Sequence, residues 1–254
     1  DGTVLSGGLV DVAAATGIRN AGAVQSASDL KMVVGEGSVD NSGSLIAGGD
    51  LSVAASNNID NRGDMQSAGA MALAAASGSI ASDGSFLTEK TFSATTGTGF
   101  KVSGGLQSSG DVDIRNGTGS FVNEGEFLTL GSLNIDAPGG FANSGDMRTN
   151  DGATVVMAGG KATNKGSFLS NDDLPLTGAA EVTNPGDFKA VGDVTVASPG
   201  AFKNTGDLMS GCARPLRTGR KWGTERKGEH GRGRTPEGRG ELAGYRPRGP
   251  NRAA

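Results

Sequence analysis

The sequence predicts an all-β chain: a right-handed parallel β-helix of about ten coils of 20–21 residues, with a disordered basic C-terminal tail. Three observations carry this reading. Eleven glycines recur in steps of 20 or 21 residues: Gly2, Gly22, Gly43, Gly63, Gly84, Gly104, Gly125, Gly145, Gly166, Gly186 and Gly206. Other residue types hold fixed offsets from that glycine. Within each copy the apolar residues are spaced by two, the periodicity of a strand, and no window sustains an apolar stripe at helical spacing.

The columns follow in chain order. Four residues before the glycine stands an apolar residue, Ile59, Phe121, Phe141 and Phe202 among them. Two before it stands Asn in eight of ten full copies: Asn20, Asn41, Asn61, Asn123, Asn143, Asn164, Asn184 and Asn204. Ser82 and Val102 replace it in the other two. Asn-x-Gly reads as the structural turn, because both residue types tolerate positive φ and let the chain turn sharply. Two after the glycine comes a second apolar column that includes Phe86, Phe127, Phe168 and Phe188. Four after it the residue is always small, from Ser26 to Ser210, which lets the wall bend where large side chains do not fit. A second corner carries Gly49, Gly69, Gly110, Gly131 and Gly192. Eight and ten after the register glycine lies an apolar-x-apolar pair such as Leu51/Val53 or Val112/Ile114.

A strand this short buries nothing alone. Stacked coil on coil at roughly 4.8 Å, like residues meet like, and the interior becomes a continuous apolar column. Ten coils at that rise make a rod of about 50 Å. Right-handedness is the general expectation for parallel crossovers.

Composition divides the chain near residue 211. Residues 1–211 hold 11 Lys+Arg against 23 Asp+Glu, whereas residues 212–254 hold 12 against 4, so the two parts are built differently. Residues 1–211 read as the shaft. Residues 212–254 read as an Arg/Gly-rich tail without apolar periodicity. The switch falls mid-unit, as expected of a frameshifted or truncated terminus rather than an evolved basic arm. Trp222 and Tyr245 are too few to form a stacking platform, so no nucleic-acid partner is expected. The single cysteine, Cys212, allows no intramolecular disulfide. No stretch approaches the ~20 apolar residues of a membrane-spanning helix. The chain opens mid-repeat at Asp1-Gly2, with no Met start and no signal peptide, and reads as a fragment of something longer.

Candidate chemistry is sparse. The Asn column reads as stacked amides at a turn rather than a ligand ladder. Acids recur one after the register glycine, at Asp64, Glu126, Asp146, Asp187 and Asp207. Glu126/Asp146 and Asp187/Asp207 become vertical neighbours, repelling by about 0.9 kcal/mol in water, which a solvated wall tolerates. Calcium between coils is the sharper alternative, but the Gly-Gly-x-Gly-x-Asp nonapeptide of calcium-binding β-rolls is absent. No cofactor or metal site is assigned. An enzyme on this fold needs clustered carboxylates and loops that interrupt the repeat. Here basic residues are scattered, the only His and Cys lie in the tail, and no catalytic residue is expected. Ser170–Leu176 is the most irregular copy, because Pro175 falls inside the apolar pair and cannot donate to a ladder. It reads as a bulge or frayed strand rather than a contact loop.

The copies run Gly-x-Val-Asp-Asn-Ser-Gly-x-Leu-Ile-Ala-Gly-Gly-Asp-Leu-x-Val from Gly37 to Val53, then Asn-Ile-Asp-Asn-Arg-Gly-Asp-Met-Gln-Ser-Ala-Gly from Asn58 to Gly69. This resembles the haemagglutinin repeat of filamentous-haemagglutinin-type adhesins, large exoproteins of two-partner secretion in Gram-negative bacteria. That class also includes contact-dependent growth-inhibition toxins. The resemblance covers residues 1–211 and implies a secreted or surface-attached β-helical shaft. It implies partners of two kinds: receptors or glycans on host or neighbouring cells, and an outer-membrane transporter that recognises an amino-terminal domain absent from this chain. Three functions stay open: an adhesin shaft, the stalk of a growth-inhibition toxin, and a polysaccharide-active enzyme.

Overall fold

The computed structural model describes residues 2–211 and 222–224. The described residues form strands and turns, with no helix. The first coil sets the pattern with β1 (Thr3–Ser6), β2 (Val10–Ala14) and β3 (Gly17–Asn20). Each strand pairs in parallel with its equivalent one coil on: Thr3 with Ala23, Val10 with Leu30, Gly17 with Ser38. The chain is therefore a three-walled β-solenoid, its walls built from every third strand. Among the described residues the walls hold eleven, ten and eleven strands.

The three walls follow from the column offsets. The column four before the register glycine points inward from the third wall, the column two after it from the first, and the apolar pair from the second. Ile59, Phe86, Phe121, Phe127, Phe141, Phe168, Phe188 and Phe202 are all 3% exposed or less. A further inward column, twelve after the glycine, completes the second wall with Val34, Ala55, Ala75, Thr96, Asn116 and Ala137. It continues the same alternation by one more step and was legible there.

Packing is balanced within a coil rather than along a column. Phe100, Phe121 and Phe141 stack with centroids 6.0 and 5.6 Å apart and ring planes within 11°. The next position in that column is Ala162. Phe168, reaching in from the first wall, fills the space at 5.9 Å from Phe141. Close packing demands this compensation, since an interior tolerates neither a void nor an extra ring.

The turn glycines are needed for a reason other than the one expected. The positive-φ glycines are Gly37, Gly140, Gly159 and Gly178; three lie between the second and third strands of their coils, and Gly140 opens the third strand of its own. None lies in an Asn-x-Gly corner. There the coils approach too closely for a side chain. A Cβ on Gly43 would meet the carbonyl oxygen of Gly22, and the same overlap recurs up the stack, closer than the 3.0 Å that real Cβ atoms respect. The backbone explains the approach: Ser42 and Gly43 both donate their N–H to the Asn20 carbonyl below, at 2.8 and 3.2 Å.

Coil length also alternates rather than varying at random. Nine residues separate Leu30 from Val39, eight separate Leu51 from Ile59, nine separate Met71 from Ile80, and eight separate Phe92 from Phe100. The extra residue sits in the third corner, so the building unit is a pair of coils as far as Val182; the last coil repeats the eight-residue step, from Val194 to Phe202.

Pro175 lies in a regular strand, Leu174–Thr177. Leu174, Pro175 and Leu176 pair with Val194, Thr195 and Val196 above. Below, only Leu176 and Thr177 pair, with Val155 and Val156. The missing N–H thus opens half of one ladder without inserting a residue, the frayed alternative rather than the bulge. Of the expected tail, the structure describes Trp222–Thr224, a strand that pairs in parallel with Phe202–Asn204. Residues 212–221 and 225–254 lie outside the described residues.

Candidate functional site

Four polar ladders run along the solenoid, and their geometry separates structural from available groups. The Asn column forms the first. Asn20 donates from Nδ2 to Asn41 Oδ1 at 2.8 Å, Asn41 to Asn61 at 2.8 Å, and Asn61 to Ser82 Oγ at 3.1 Å. A second run links Asn123, Asn143, Asn164 and Asn184 at 2.8 Å each, ending on Asn204 at 2.6 Å. The same amides also donate to turn carbonyls, as Asn123 does to Gly125 at 3.1 Å. These side chains are buried or nearly so, and their hydrogen bonds are spent on the chain itself.

Val102 separates the two runs. It is fully buried, and directly above it Asn123 Oδ1 has no hydrogen-bond partner. An orphaned buried acceptor costs about 1–3 kcal/mol. Val102→Asn is therefore expected to join the ladders and raise stability by about 1 kcal/mol, after loss of the valine methyls. The reverse change one rung above Asn123, Asn143→Val, is expected to cost about 2–4 kcal/mol. Urea denaturation of both variants tests the opposite signs.

The second ladder was missed from sequence. Asp29 Oδ1 accepts the Asp50 N–H of the next coil at 2.9 Å, Asp50 accepts Ala70 N–H at 2.8 Å, Asp111 accepts Ser132 N–H at 2.8 Å, and Asp173 accepts Asp193 N–H at 2.7 Å. Above each aspartate sits a glycine of the second corner: Gly49, Gly69, Gly131 and Gly192. A Cβ there would strike the aspartate Oδ1. Where Ala70, Ser132 or Gly152 takes the aspartate's place, the residue above is Lys90, Asp151 or Asp172; above Thr91 the glycine, Gly110, is kept. The signal was present, but only as a correlation between successive copies.

In the third ladder the small column proves to be hydroxyl-rich for a reason. Thr88, Ser108, Thr129 and Thr149 donate to Gly69, Lys90, Gly110 and Gly131 carbonyls of the coil below at 2.6–2.8 Å. The fourth ladder is the acidic column. Glu126 pairs in register with Asp146, and Asp187 with Asp207. Lys189 offsets the second pair, 2.9 Å from Asp187 and 3.5 Å from Asp207.

Electrostatics on the walls are those of solvated ion pairs. Hydrogen bonding from Lys101, then from Ser103, holds the Glu124 carboxyl below its usual range. The hydrogen bond to Asp187 holds the Lys189 ammonium above its usual range. Glu124's contribution is present above the ordinary carboxylate pKa and fades as pH falls through its lowered value. That of Lys189 is present below the ordinary lysine pKa and fades only in strong alkali. Glu124 is exposed and Lys189 half-exposed, so salt screens both. Among the described residues, no group of three or more His, Cys, Asp or Glu is placed to hold a metal ion. A hollow of about 500 Å³ opens beside the first coil, lined by Val4, Val12, Ile18, Arg19 and Met32 without a carboxylate, so it offers no acid–base pair.

The haemagglutinin-repeat family model matches residues 5–87 and 66–208, nearly all of the solenoid. The chain belongs to the haemagglutinin repeat family. Comparison with curated proteins and with solved structures gives no match. Family members of this kind are secreted or surface-associated, adhesin-type repeat proteins. The stacked coils described above are the part of the chain that the family model matches. Their Asn-x-Gly motif is a stacking device, and the groups free to meet a partner are those on the outer walls. No helix among the described residues is long and apolar enough to cross a membrane.

Proposed function

We propose that this chain is the shaft segment of a secreted or surface-attached bacterial adhesin, which presents a stiff β-helical surface for attachment to cells or matrix. Residues 1–211 are the shaft in this reading, and 212–254 an Arg/Gly-rich segment of which Trp222–Thr224 adds a strand to the third wall. The observation that carries it is the uninterrupted register. Ten coils stack with at most one residue of variation, and no inserted loop builds a pocket. Such a surface suits multivalent contacts that are individually weak. The family context supports export through an outer-membrane two-partner transporter.

The second reading is the stalk of a contact-dependent growth-inhibition toxin, which would project an effector domain and need no affinity of its own. Beads coated with the chain and mixed with host cells, bacterial cells or matrix glycans separate the two. The adhesin reading expects binding that single outward substitutions leave intact and that scrambling the outward residues of all three walls abolishes. Absence of binding to every surface would overturn it in favour of the stalk. A polysaccharide-active enzyme is the weakest reading, and product release from acidic polysaccharides is its test.

A further inference from the structure

The outward face of the first wall carries a pattern that the solenoid itself does not require. Three residues after each register glycine, the side chain points to solvent. In alternate coils it is aliphatic: Leu5, Ile46, Leu87, Leu128, Leu169 and Met209. In the coils between, it is long and polar: Gln25, Gln66, Gln107, Arg148 and Lys189. Strand pairing stacks these residues one above another without a break, from Leu5 on Gln25 to Lys189 on Met209. Leu5, Leu87 and Met209 are 71%, 41% and 58% exposed, and Ile46, Leu128 and Leu169 are half-buried. The second and third walls have the same construction and no such alternation. Their outward residues, Ala54, Ala74 and Thr95 or Asp60, Ala81 and Lys101, follow no two-coil rule. Folding a coil therefore does not demand it.

We propose that this wall is a self-association surface on which a second copy of the chain docks with its axis antiparallel. The aliphatic residues recur every second coil, about 9.6 Å apart. A second copy matches that period over the whole wall without drift. In an antiparallel two-fold pairing centred on Gln107, Leu5 opposes Met209, Ile46 opposes Leu169 and Leu87 opposes Leu128 of the other copy. Each aliphatic meets an aliphatic, and each polar residue meets a polar one.

Charge favours the same arrangement. Asp64 is the one outward charge on the first-wall strands up to Ser108, whereas the later strands carry Glu126, Asp146, Arg148, Asp187, Lys189 and Asp207. Antiparallel docking lays the charged half on the nearly uncharged half; Asp64 then faces Asp146, with Arg148 of the same strand beside the pair to offset it. A parallel pairing would lay the later half of each copy, with Glu126, Asp146, Asp187 and Asp207 against only Arg148 and Lys189, on the same net-negative half of the other. The footprint, about 48 Å by about 13 Å on each copy, totals about 1,300 Å², inside the range of specific interfaces. An interface of this kind is isologous and closes at two copies.

The test uses the full chain with Cys212→Ser as background. Sedimentation velocity should show a concentration-dependent dimer, and Leu87→Glu with Leu128→Glu should abolish it while the circular dichroism spectrum stays unchanged. A short bis-maleimide should link Ile46→Cys copies to Leu169→Cys copies in a mixture and link neither variant to itself, because facing sheets lie about 10 Å apart. A monomer at every concentration, a dimer that survives the double glutamate change, or cross-linking of either cysteine variant to itself would overturn the proposal.

Discussion

Gly104→Ala is expected to destabilise the solenoid by at least about 3 kcal/mol, while Gly105→Ala, one residue on, changes stability by no more than about 1 kcal/mol in either direction. Composition and propensity do not separate these two glycines. Their surroundings do. A Cβ on Gly104 would overlap the carbonyl oxygens of Asp83 and Gly84 in the coil below, whereas a Cβ on Gly105 meets nothing within 4 Å. Neither glycine has positive φ, so backbone strain is the same for both. Backbone atoms cannot swing aside as a side chain does, and relieving the clash at residue 104 means parting two coils. Each coil contacts only its neighbours, so a parted pair interrupts cooperativity along the rod. A split or early urea transition for Gly104→Ala, beside an unchanged one for Gly105→Ala, is the expected result. Equal behaviour of the two variants would show that close corner stacking is not what selects glycine.

Phe141→Asp is expected to cost more than about 4 kcal/mol, among the largest losses a single substitution brings. Phe141 is 1% exposed and lies between the rings of Phe121 and Phe168. Among the described residues its neighbours along the column are Phe121 and Ala162, so a carboxylate there loses its hydration without gaining a charged partner. Its pKa in the folded chain rises above the unfolded value. The folded state then holds the proton more tightly, and the loss relative to the unsubstituted chain shrinks as pH falls towards 4 and below. Phe141→Leu serves as control, at about 1–2 kcal/mol and without that pH dependence. Matching thermal denaturation curves for Phe141→Asp and the unsubstituted chain would sink the register described here.

Adhesion and self-association make different demands on the same rod. Weak multivalent attachment can use all three outer walls. The dimer proposed here would hide the first and leave the second and third. Cell binding by the Leu87→Glu, Leu128→Glu variant therefore reports on attachment alone.

What the amino-acid sequence determined by itself was everything written into a single column. The inward Phe, Leu, Ile and Val positions, the length of the coil and the Asn-x-Gly corner all repeat at fixed offsets. A period of two within a period of 20–21 leaves a stacked β-coil as the way to bury them. What only the tertiary structure decided was whatever depends on the distance between coils. Gly43 and Gly63 are glycine because a carbonyl passes beneath them, not because of φ. Gly49 and Gly131 are glycine because Asp29 and Asp111 reach up from below. Ala162 is small because Phe168 comes across from another wall. The number of walls is of the same kind, since three strands per coil follow from where the corners bend and not from the period alone. Contacts of this sort join residues about twenty positions apart through a separation of roughly 4.8 Å, and a linear sequence states the first distance but not the second.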